Sequence, residues 1–110
     1  MCIFCKIAAG EFTTEFLYED EFVLAFRDLE PQAPTHILII PKNHFENVEA
    51  LSKFEPLTVA ALFRAATELA ESEGLVGHRT VFNTGASAGQ SVFHAHLHLL
   101  GGRPFAWPPG

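Results

Sequence analysis

His94, His96 and His98 stand at two-residue intervals in the run Ser91-Val92-Phe93-His94-Ala95-His96-Leu97-His98-Leu99-Leu100. Two residues is the side-chain period of a β-strand, so the spacing predicts three imidazoles on one face. Phe93, Ala95, Leu97 and Leu99 then fall on the other face and read as core. Three groups that can each become cationic are costly to bury without partners, so the histidine face should line a polar cleft. A solvated face would mix Lys, Glu, Thr and Ser, which this one does not. Metal binding is the stronger rival, because two histidines at i and i+2 can share one Zn²⁺ with ligands from other strands. At about 3.3 Å per residue, His94 and His98 lie about 13 Å apart, too far for one ion to take all three.

The segment before the run favours phosphorus chemistry. Gly85-Ala86-Ser87-Ala88-Gly89-Gln90-Ser91 is a small, polar loop that can bring backbone amides and a hydroxyl up to an anion. Imidazole is neutral and nucleophilic near pH 7, with a reference pKa of about 6.5.

The stretch Gly89-Gln90-Ser91-Val92-Phe93-His94-Ala95-His96-Leu97-His98-Leu99-Leu100-Gly101-Gly102-Arg103 resembles the motif of the histidine-triad (HIT) superfamily, in particular its Hint branch of nucleoside phosphoramidases. Phe26-Arg27-Asp28, Pro31-Gln32-Ala33-Pro34-Thr35-His36, Ile40-Pro41-Lys42 and the terminal Trp107-Pro108-Pro109-Gly110 resemble further segments of that branch, in order, across nearly the whole chain. The resemblance implies that His96 attacks the α-phosphorus of a nucleotide and forms a transient nucleotidyl-histidine. One ring nitrogen then carries phosphorus while the other donates to a backbone carbonyl near His94. His98 would contact phosphate oxygens. Ser91 would assist the leaving group, Asn83 would donate to the phosphate, and His36 would line the same cleft. By the same resemblance Asp28 accepts from the ribose hydroxyls, although Asp-Leu-Glu-Pro reads on its own as a turn. Ile3, Phe4, Phe26, Leu29 and Leu38 would enclose a purine, and Gly89 and Gln90 belong to the nucleotide loop; read singly, the apolar residues are plain core. Trp107 would reach the cleft of a partner in a twofold homodimer.

Cys2 and Cys5, the two cysteines of the chain, could be a redox pair, half a zinc site, or two plain thiols. A redox pair normally opens a helix after a βαβ pattern, which the N-terminus lacks. Some HIT proteins complete a structural zinc site with two histidines, and the resemblance places these at His44 and His94.

The elements that must position these residues alternate without a linker. Residues 15–19 and 22–27 read as strands around the Asp20-Glu21 turn, and residues 35–40 as an apolar strand ended by Pro41. Residues 57–73 carry helical spacing, with Pro56 at the first turn and Gly74 past the end. Residues 48–53 suggest a shorter helix, and residues 79–83 a strand before the glycine loop. The expectation is one α+β domain over residues 1–110, with the HIT-like antiparallel sheet of about five strands, one long and one short helix, and an extended tail over 101–110.

Composition is consistent with this. At 110 residues and 48% hydrophobic content, one core suffices. No apolar run approaches the roughly 20 residues of a membrane span, and no secretory signal opens the chain, so a cytoplasmic location is expected. A net charge of −6 argues against nucleic acid as a partner. Three activities remain open: a purine nucleoside phosphoramidase acting on AMP-amines or aminoacyl-adenylates, a diadenosine polyphosphate hydrolase or nucleotidyl transferase, and a nucleotide-binding scaffold.

Overall fold

A computed structural model describes residues 2–110. Its elements are α1 (Ile3–Ala8), β1 (Tyr18–Glu19), β2 (Val23–Arg27), β3 (Thr35–Pro41), α2 (Val48–Phe54), α3 (Pro56–Ser72), β4 (His78–Val81), a 3₁₀ turn (Ala86–Ala88) and β5 (Leu97–Gly101). The strands form one antiparallel sheet in the order β1-β2-β3-β5-β4, so the expected five-stranded α+β architecture is present. No helix among the described residues is long and apolar enough to cross a membrane.

Parity along the strands divides the core in two. The odd-numbered Val23, Ala25, Ile37, Ile39, Leu97 and Leu99 face α3, where Ala61, Leu62, Ala65, Ala66 and Leu69 close the larger core. The even-numbered Leu24, Phe26, Leu38 and Ile40 face the other way and pack against Phe4 and Ile7 of α1. His36 and His98 share this second face. β3 pairs His36 with Leu100 and Leu38 with His98, which sets the two histidines on a diagonal across neighbouring strands.

Three expectations need correction. First, α1 was not foreseen. It spans six residues, too few for a periodic signal, and its N-cap is the Cys2 sulfur, which accepts from the Cys5 amide at 3.2 Å. Second, the triad does not lie on one regular strand, since β5 begins only at Leu97. Continuing the β3–β5 register would set Ala95 opposite Pro41, which has no N–H to give, so the ladder stops. Ala95 donates instead to the Phe45 carbonyl at 2.7 Å. Third, Phe93 lies outside the core, 43% exposed, because it precedes the point where alternation begins. Ala95, Leu97 and Leu99 are buried as expected.

Candidate active site and metal centre

The broken ladder gives the three triad histidines different tasks. His94 is fully buried, and its Nε2–H donates to the Pro41 carbonyl at 2.9 Å. Its Nδ1 therefore carries a free lone pair, aimed at Cys2 Sγ (3.3 Å), Cys5 Sγ (3.5 Å) and His44 Nδ1 (3.1 Å). The remaining separations are 3.2 Å between the sulfurs, 3.6 Å from Cys2 Sγ to His44 Nδ1 and 3.2 Å from Cys5 Sγ to that nitrogen. These six edges describe a nearly regular tetrahedron. Its centre lies about 2 Å from each atom, against bond lengths of about 2.0–2.1 Å for zinc–nitrogen and 2.3 Å for zinc–sulfur. Two soft sulfurs, two imidazoles and no open position make a structural zinc site, with Cys2, Cys5, His44 and His94 as ligands. The Pro41 contact supplies the outer-shell hydrogen bond that orients a ligating histidine.

His96 turns the opposite way. Its Nδ1–H donates to the His94 carbonyl at 2.7 Å, which leaves Nε2 as an unprotonated lone pair. The ring is 8% exposed, and Phe4 meets it edge-on at 5.1 Å between centroids. Burial holds the imidazole below its ordinary pKa, against the opposing pull of the His94 carbonyl and Asp28.

His98 lies 4.9 Å from His96 between ring centroids. A chain of hydrogen bonds sets its protonation. The Gln32 amide donates to His36 Nδ1 at 3.0 Å, so neutral His36 keeps its proton on Nε2. That proton is donated to His98 Nδ1 at 2.8 Å, and the proton of neutral His98 must sit on Nε2. Among the described residues, His98 Nε2 is the sole buried side-chain polar atom without a partner. A buried orphan donor of this kind points to an absent acceptor. Burial, then His96 and His36, push the His98 pKa down to about 4. Burial also lowers His36, with Asp28 Oδ2 at 3.4 Å from its Nε2 pulling the other way. Asp28, His36 and His98 converge closely enough to suggest a second metal, but the 2.8 Å contact holds a proton where an ion would need a lone pair.

These groups open onto a cleft of about 300 Å³ lined by Phe4, Phe26, Asp28, Leu38, Ser91, His96 and His98 among others. Ile3 and Leu29 stand at its rim, Leu29 97% exposed. An adjoining, mostly apolar hollow of about 510 Å³ shares Ile3, Ile7, Phe26 and Leu29. Gln90 is buried, with its amide engaged inside the loop: Oε1 accepts from the Gly85 amide at 2.8 Å, and Nε2 donates to the Glu46 and Val92 carbonyls. Gly89 adopts φ 97°, open to glycine, with Asn83 Nδ2 beside it. Trp107 is not among the residues lining the cleft and is 82% exposed.

The family model for the HIT domain matches residues 9–105. The chain belongs to the HIT family. A HIT family hydrolase from Legionella pneumophila has a crystal structure that superimposes with a TM-score of 0.95 at 49% identity, covering 100% of both chains. A 14 kDa zinc-binding protein of Zea mays is 51% identical over 112 residues, spanning 98% of this chain and 87% of the maize protein. The purine nucleoside phosphoramidase of Escherichia coli K12 is 44% identical over 104 residues, spanning 93% of this chain and 87% of that one. What reading the HIT sequence missed is α1 and the Gln32–His36–His98 chain. The second joins residues 62 positions apart, and only the cross-strand register reveals it.

Proposed function

We propose that this HIT protein is a hydrolase that cleaves the P–N bond of purine nucleoside 5′-phosphoramidates of the AMP-NH₂ or AMP-lysine kind, or the corresponding P–O bond of an aminoacyl-adenylate. One observation carries the reading. The bare Nε2 of His96 and the unpartnered Nε2–H of His98 are fixed side by side on the same cleft, a nucleophile next to a donor. Attack by His96 forms a histidine–phosphorus bond as the P–N pair departs with the amine, and water then releases the nucleotide. His98 donates to the phosphoryl oxygen on which charge builds, and His36 keeps that donor in the right tautomer. Ser91 lines the cleft where the leaving nitrogen would stand, and Asn83 and Gly89 adjoin the phosphate loop. In this reading Asp28, which lines the cleft, accepts from the ribose hydroxyls, while Ile3, Phe4, Phe26, Leu29 and Leu38 offer apolar surface to the base. The zinc centre is structural in this scheme and takes no part in the chemical step.

Charge at the cleft favours an amine over a polyphosphate leaving group. Among the described residues Arg27 is the only cation in the lining, and both its terminal guanidinium nitrogens are engaged by Glu73 at 3.0 Å; Asp28 and Glu30 add negative charge. Among the described residues a polyphosphate chain would meet no free cation there. A cytoplasmic homodimer, with Trp107 near the partner's cleft, completes the reading. The test compares kcat/KM for adenosine 5′-phosphoramidate and diadenosine tetraphosphate on the purified protein. Preference for the first by about 10²-fold or more is expected; equal or reversed preference would refute the assignment.

A further inference from the structure

Of the zinc ligands, Cys2 caps the helix that walls the cleft and Cys5 sits on its first turn, and their sulfurs are 3.2 Å apart. We propose that this pair is an oxidisable dithiol whose conversion to a disulfide ejects the zinc and loosens the cleft wall. Both cysteines are half-buried, so a small oxidant of the peroxide class can reach them. One thiolate attacks the peroxide O–O bond and becomes a sulfenic acid as hydroxide departs. The second thiolate attacks that sulfur, expels another hydroxide and closes the S–S bond. Two thiolates thus lose two electrons, peroxide and two protons become two waters, and Zn²⁺ leaves with half its ligands gone. The sulfurs need to close by only about 1.2 Å to reach a disulfide bond length.

The consequence is local and specific. The residues enclosed by the new ring are Ile3 and Phe4, which face the cleft. Phe4 holds the His96 ring edge-on and packs at 5.7 Å on Phe26. Zinc ties α1 to His44, beyond β3, and to His94, ahead of β5. A six-residue helix has little stability of its own, so without that tie it rests on the packing of Phe4 and Ile7, with Cys2 and Ala8 beside them. The effect on the cleft rests on the nucleotide reading given above; the thiol chemistry does not.

The experiment treats the full-length, zinc-loaded protein with hydrogen peroxide. It follows free thiols, intact mass, zinc released to a chromogenic chelator, and AMP affinity by calorimetry. Both thiols should disappear with a mass loss of two hydrogens and about one zinc ion freed per chain. AMP affinity should fall about tenfold, and dithiothreitol with zinc should restore both. Retention of zinc and thiols under peroxide that oxidises a peptide of residues 1–10 would overturn the proposal, as would oxidation proceeding to sulfinic acid without a disulfide. An unchanged AMP affinity in the disulfide form would overturn the link to the cleft. If the reduced protein fails to bind AMP, the nucleotide reading falls, while the thiol and zinc measurements still decide this one.

Discussion

His36 Nε2 stands 2.8 Å from His98 Nδ1, and this contact decides which nitrogen of His98 faces the cleft. Neither residue needs a charge for the arrangement to work. The Gln32 amide, a donor that cannot change its role, sets the direction of the whole chain. His36→Phe should therefore lower kcat about tenfold or more while KM changes little, because the donor orientation of His98 is lost. His36→Gln, whose amide can still donate, should recover most of that loss. Equal activity in the two variants would show that His36 acts only as packing.

The nucleophile makes the sharpest claim. His96→Ala should reduce kcat by about 10³-fold or more, with AMP affinity changed only modestly. A variant that keeps more than a few per cent of the kcat would remove His96 from that role.

Acid sensitivity should come late for catalysis and early for stability. His98 faces His96, His36 and Asp28, and burial with its two histidine neighbours holds its pKa down to about 4. The neutral donor thus persists well below the usual histidine range, and kcat should lose little on this account between pH 7.5 and about 5.5. The unfolded chain takes up the same proton near pH 6.5, so between about 6.5 and 4 it binds more protons than the folded protein. Stability should therefore fall as pH drops through that window. Thermal melts from pH 7.5 to 4.5 will check the sign, and His98→Gln should flatten the slope.

Much of this was legible in the residues, for physical reasons that also mark the limit. α3 announces itself through helical spacing between Pro56 and Gly74, and the structure ends it at Ser72 with Gly74 at φ 68°. β3 declares itself by an unbroken apolar run, since both its faces are covered. The separate orientations of His94 and His96 could not be read from spacing, because Pro41 ends their ladder from a different strand. The diagonal that joins His36 to His98 is a matter of register, and α1 depends on a sulfur as its cap. Those features arise between segments and not within them.

Zinc should copurify at about one ion per chain, and its removal should affect stability more than chemistry. The four ligands tie the N-terminus to residues 44 and 94, and nothing in the cleft needs the ion to move a proton. Chelation should lower the melting temperature on the order of 10 °C, with a smaller relative change in kcat at saturating substrate. Elemental analysis comes first: no metal in protein produced with zinc present would end the argument.

The tail is both anchored and open. Two guanidinium groups meet the Phe105 ring, Arg103 at 4.3 Å and Arg79 at 5.1 Å from its centroid, and Arg79 also donates to the Ala106 carbonyl at 3.1 Å. Arg79 belongs to β4, the edge strand of the sheet. Beyond this clamp Trp107 is 82% exposed, a large apolar ring held out from its own domain. The clamp accounts for where the tail starts, and a second copy meeting β4 would account for what the ring covers. The protein should accordingly sediment as a dimer at micromolar concentration. Deleting residues 105–110 should re-rank phosphoramidates that differ in their amine, while His96 chemistry on the smallest substrate continues. Trp107 is the sole tryptophan, so its fluorescence should change when ligands with bulky leaving groups bind. A monomer under those conditions, or an unaltered substrate ranking after truncation, would leave Trp107 without a part in catalysis.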